Sequence, residues 1–117
     1  MHIAVIALTV ILASVFLSTA LPKLTGQAQM RERMAHLGVS PGLTRVLGVL
    51  EIAAVAGLLL GLLWAPLGIA AAVGLALQMV GAVVYHARAK DPAAMTLTPV
   101  IFAVAAVALV VLHVLEG

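Results

Sequence analysis

A chain of 117 residues that is 65% hydrophobic and only 9% charged cannot cover a water-soluble surface, since soluble domains carry about 25% charged residues. It reads as one integral membrane domain, residues 1–117, with no room for a soluble domain beside it. The lack of cysteine excludes disulfides, thiol redox chemistry, thiolate zinc sites and iron–sulfur clusters. A formal net charge of only +2 argues against a nucleic-acid partner despite a pI of about 9.7.

Four apolar segments are predicted to span the membrane, at about 2–21, 43–63, 66–87 and 99–115. Each approaches the length needed to cross a hydrocarbon core of about 30 Å. The first carries its cations after the apolar run rather than before it, so it is expected to be a retained anchor and not a secretory signal. In the loop that follows, Met30, Met34 and Leu37 recur at i, i+4 and i+7, while Gln29, Arg31, Glu32, Arg33 and His36 take the other positions. That pattern predicts a short amphipathic helix lying on the cytoplasmic membrane surface, its methionine stripe against lipid, ended by Gly38.

Ser40-Pro41 reads as an N-cap followed by proline at the first helical position, launching the second segment. That segment holds Glu51 and a Gly57-x-x-x-Gly61 pair, which lets helix backbones approach in lipid. Only Leu63-Trp64-Ala65-Pro66 joins it to the third segment. Asp91-Pro92 and Thr98-Pro99 then compete to start the fourth, and the second is favoured for the spanning part. Lys23, Arg31, Arg33, Arg45, Arg88 and Lys90 all fall at the same end of the segments. The positive-inside rule therefore puts both long loops in the cytoplasm and both termini outside. The expected fold is all-α: a four-helix transmembrane bundle with a short cytoplasmic amphipathic helix between helices 1 and 2.

A carboxylate within an apolar helix needs a partner, a proton or a function. Glu51 lies about eight residues into its segment, roughly 12 Å deep at about 1.5 Å per residue. Gln78, eight residues before His86, should lie at similar depth, and Tyr85 shares a helix face with Gln78. Ser14 and Ser18 share a face of the first segment in the same half. With Lys23 and Arg45 at the mouth, these residues predict a polar pocket open to the cytoplasmic side. Glu51 reads either as a structural acid, paired with Lys23 or Arg45 or bonded to Gln78 or Ser14, or as a functional carboxylate. Two histidines, His2 and His113, flank the outer side without making a metal site. No nucleophile–base pair, phosphate loop or metal signature is visible, so no residue is assigned to catalysis or to a metal.

The stretches L-S-T-A-L-P-K-L-T-G, H-L-G-V-S-P, R-V-L-G-V-L-E-I-A-A-V-A-G-L-L-L-G and I-A-A-A-V-G-L-A-L-Q-M-V-G-A-V-V-Y-H together resemble the DoxX-like family of small four-helix membrane proteins. The resemblance covers almost the whole chain. Its most specific part is Lys23…Gly48-x-x-Glu51 with His86. It implies a membrane protein of mixed possible roles, since relatives include subunits linked to quinone-dependent sulfur oxidation, members of oxidative-stress complexes, and assembly factors. The expectation is an accessory subunit of a redox complex in a bacterial cytoplasmic membrane, itself without catalytic residues, that binds a lipophilic molecule such as a quinone. Its partners are then the lipid bilayer and either other membrane subunits or further copies of itself. An assembly factor and a small oligomeric transporter are the alternatives.

Overall fold

The computed structural model describes residues 3–116. They form five helices: α1 (Ile3–Thr25), α2 (Ala28–His36), α3 (Pro41–Leu60), α4 (Ala65–Arg88) and α5 (Ala93–Glu116). No strand occurs among the described residues. The four long helices have 20 to 24 residues, or about 30–36 Å at about 1.5 Å per residue, enough to cross a bilayer. All four are apolar enough to do so.

The helices close into a ring. α1 packs on α3, α3 on α4, α4 on α5, and α5 returns to α1. Phe16, Leu12, Leu58, Leu75 and Leu109 fill the centre, and Phe16 meets Phe102 edge-on at 5.9 Å and 67°. In lipid an apolar surface gains nothing by leaving the bilayer for a neighbouring helix, so close packing has to hold the ring together. The short α3–α4 connection shows how. A Cβ on Gly57 would lie 2.8 Å from that of Ala71, and one on Gly61 would run into the backbone of Gly68. Gly61 and Gly68 thus meet main chain to main chain, and Gly57 takes the Ala71 methyl against its own backbone.

Ser40 caps α3 as its sequence suggests: its Oγ accepts from the Leu43 N–H at 3.1 Å, with Pro41 in the first turn. Two helices run well beyond the apolar segments predicted for them. α1 continues past residue 21 through Pro22 to Thr25; Pro22 gives up its own N–H bond, while its carbonyl still accepts from the Gly26 N–H at 3.1 Å. Lys23 is thereby placed on a helix face instead of in a loop. α5 starts at Ala93, directly after Asp91-Pro92, and runs through Pro99; Thr98 is thus in its second turn, its hydroxyl donating to the Ala94 carbonyl at 3.1 Å. A helix is present where the loop helix is expected. Its Met30 is buried, however, and Met30, Met34 and Leu37 line an internal cavity where the sequence suggests lipid contact.

Candidate functional site

At the end of the bundle where α2 lies, the ring opens into a cavity of about 800 Å³. Its floor is an ion pair. Glu51, 1% exposed, accepts from Lys23 Nζ through both carboxylate oxygens, at 2.9 and 3.0 Å. Thr19 Oγ1 stands 3.2 Å from Glu51 Oε1 and 3.0 Å from the Phe16 carbonyl, so its proton is shared between two acceptors. Thr19 and Lys23 are four residues apart and project from one face of α1. Neither charge would be tolerable alone in so apolar a place, and together they are held by two charge-assisted bonds.

Gly48 makes the pair possible. A Cβ there would lie 3.0 Å from Leu24 Cγ and 3.1 Å from Lys23 Cβ. The bare backbone admits the stem of Lys23 one turn before the acid it neutralises. The spacing Gly48-x-x-Glu51 thus has a steric meaning: one residue clears the space and the other supplies the charge.

One wall of the cavity belongs to α4, with Gln78, Met79, Tyr85 and His86, and Pro99 and Phe102 of α5 stand beside it. Gln78 is half-buried and its amide makes no bond to another described residue. The Tyr85 ring lies 6.0 Å from the Arg88 guanidinium carbon, at the outer edge of cation–π range. At the rim a carboxylate joins two imidazoles. His36 Nε2 lies 2.6 Å from Asp91 Oδ1, and His86 Nδ1 lies 2.6 Å from Asp91 Oδ2. The hydrogen bond from His36, and then that from His86, hold the Asp91 carboxyl below the usual aspartate range, because both stabilise the anion.

Of the residues singled out in the sequence, Glu51, Lys23, Gln78, Tyr85 and His86 come together around this cavity. Ser14, Ser18 and Arg45 do not. All three are exposed on the outside of the bundle, and the Ser18 hydroxyl donates to the Val15 carbonyl at 2.6 Å. The two serines do share a face, but it lies about 200° round the helix from Leu12 and Phe16, at about 100° per residue, and so points outward. Glu51 is therefore bonded to Lys23 and Thr19, and not to Arg45, Gln78 or Ser14. The sequence reading missed Thr19, His36 and Asp91. Thr19 was findable from its i−4 relation to Lys23, and Asp91 from its nearness to His86; nothing local ties His36 to a residue 55 positions away.

The opposite end also holds polar groups in its interior. Thr9 and His113 are buried, and Thr9 Oγ1 and His113 Nε2 have no hydrogen-bond partner among the described residues. His113 packs on Gly68, where a Cβ would come within 2.7 Å of Nε2. It is not the flanking residue its position suggested, and His2 lies outside the described residues. No group of three or more metal-ligating side chains is gathered among the described residues.

Such a chamber can enclose an apolar body and offer its polar end hydrogen bonds, within the size range of small-molecule sites. Residues 7–109 match the family model described as the DoxX-like family. No curated protein and no solved structure matches the chain.

Proposed function

Since this chain belongs to the DoxX-like family and is a multi-pass membrane protein by its four spanning helices, we propose that it binds a lipophilic molecule with a quinone-type head group. The observation that carries this reading is the cavity of about 800 Å³, apolar over most of its lining and floored by the Lys23–Glu51 pair. A quinone head is neutral and accepts hydrogen bonds at its carbonyls. The floor is neutral as a pair, and the Gln78 amide and Tyr85 hydroxyl stand in the wall with donors to offer. Its isoprenoid tail would lie among Met30, Met34, Met79 and Phe102.

On this reading the chain takes the place of an accessory subunit. It would hold the ligand for a membrane redox complex, as a partner of other subunits or of further copies of itself. The exposed cations Arg31, Arg33, Arg45, Arg88 and Lys90 support a cytoplasmic location for the cavity end, with both termini outside, in a bacterial cytoplasmic membrane. A structural role in assembling a complex is the second reading, favoured by the buried ion pair. The deciding experiment is extraction in mild detergent and mass analysis of bound lipids, followed by titration with a short-chain quinone. Co-purified quinone, or saturable binding, is expected. A preparation free of quinone that also fails to bind the soluble analogue would sink the ligand reading and leave the assembly role.

A further inference from the structure

We infer that α2 is a lid over this cavity, hinged at Gly26 and Gly38 and latched by the bridge from His36 through Asp91 to His86. The inference concerns access to the site and rests on the ligand-binding reading for its purpose, though not for its test.

α2 roofs the cavity: Met30 and Met34 line it from above, and Met30 is buried. Its packing is one-sided. It rests on α1 and α3, while none of its Cα atoms comes within 8 Å of those in α4 or α5. The single side-chain bond crossing the mouth from α2 is that of His36 Nε2 to Asp91 Oδ1, among the described residues. Asp91 is in turn fastened to α4 by His86. Two imidazoles on different helices thus share the two oxygens of one carboxylate, and the roof is tied to the far wall through it.

The ends of α2 are built to swing. Gly26 has φ +69° and Gly38 has φ +81°, and a Cβ at either position would meet nothing within 4 Å. Both use the left-handed conformation open to glycine, and each is held only by a local backbone bond, Gly26 N–H to the Pro22 carbonyl at 3.1 Å and Gly38 N–H to the Ala35 carbonyl at 3.0 Å. A helix of nine residues is too short to be stable by itself, so its seat depends on the contacts of its inner face and on the latch. Those inner contacts come from methionine, which repacks readily. The latch residue His36 has a side chain 56% exposed, so it contributes little to the core. Opening α2 would uncover the cavity from the loop side without parting the ring of long helices.

The chain has no cysteine, so a single reporter can be installed. Gln78→Cys places a thiol in the cavity wall, and its reaction with a water-soluble maleimide is timed in detergent micelles. The expected result is slow labelling with the latch intact, at least tenfold faster labelling in His36→Ala and Asp91→Asn, and partial restoration in His36→Gln, which keeps a donor toward Asp91. Thermal melting of each variant guards against general loosening. Equal labelling rates in all variants at unchanged melting temperature would overturn the lid, as would fast labelling in the intact latch. Should the latch variants fail to accumulate, spin labels at Arg31 and Lys90 read the same motion with the latch in place. Two distance populations are then expected, and one fixed distance overturns the inference. Neither measurement uses a quinone, so failure to bind quinone and failure of the lid are told apart.

Discussion

Lys23 reaches both oxygens of Glu51, at 2.9 and 3.0 Å, across the one stretch of α3 where Gly48 lets α1 come close. The pair is the strongest polar link between α1 and α3, and it forms the floor of the cavity. Its energetics follow from its burial. Lys23→Met should destabilise the protein by about 3–5 kcal/mol, because a buried carboxylate is left without its counter-charge. The double variant Lys23→Met with Glu51→Leu should recover most of that loss. Thermal unfolding in a fixed detergent checks both; a single variant no less stable than the double one would show that the charges do not depend on each other.

Glycine substitutions should divide by location. Gly48→Ala forces the Lys23 stem and Leu24 to move by a few tenths of an ångström, an overpacking that commonly costs about 1–3 kcal/mol. Gly74→Ala meets nothing within 4 Å and should gain up to about 1 kcal/mol from helix propensity. Opposite signs of the melting shift are expected. The same sign in both would mean that the close α1–α3 approach at Gly48 is not a tight one.

The hydrogen bonds from His36 and His86 lower the Asp91 pKa below its ordinary value of 3.8. A depressed carboxyl contributes stability that is whole above the unfolded value and is lost as pH falls through the folded one. The Asp91 anion should therefore persist at pH 3.8 and protonate only below it. Carboxyl carbon shifts by NMR, with Asp91→Asn to assign the signal, give the titration directly. A midpoint at or above 3.8 would contradict the bridge.

Ligand binding should depend on Gln78 and not on the outward-facing serines. Gln78→Leu removes an amide that bonds to no other described residue, so folding should be unaffected while quinone-analogue affinity falls about tenfold, the equivalent of one ordinary hydrogen bond of about 1.4 kcal/mol. Ser14→Ala and Ser18→Ala should bind as the parent does. An unchanged dissociation constant in Gln78→Leu would move the head group away from this wall.

Much of the fold was legible because a hydrocarbon solvent imposes length and polarity on whatever crosses it. Four apolar runs, Ser40-Pro41 and a lone Glu51 could be read without knowing the packing. The inward face of each helix could not. In water the buried face of a helix differs chemically from the outer one; in lipid both are apolar. The periodicity therefore grouped Ser14 with Ser18 without indicating that they look outward, while Thr19, one residue further on, looks in. Pro99 does not mark where its helix begins, for a different reason. Proline is a frequent first residue of helices, yet within a bundle α5 accommodates the lost N–H bond and passes straight through. The His36–Asp91 contact joins the end of α2 to the α4–α5 loop, which share no local pattern, and only the closing of the ring brings them together.

The paired glycine backbones at Gly61 and Gly68 fix how narrow the bundle is at one end, and the chamber lies at the other. α3 and α4 thus meet like two staves held together at their tips. A bulkier residue at position 68 would press on His113 and the Gly61 main chain, splaying the staves from below. Substitution at position 68 is therefore expected to alter the space beneath α2, although neither Gly61 nor Gly68 lines the chamber.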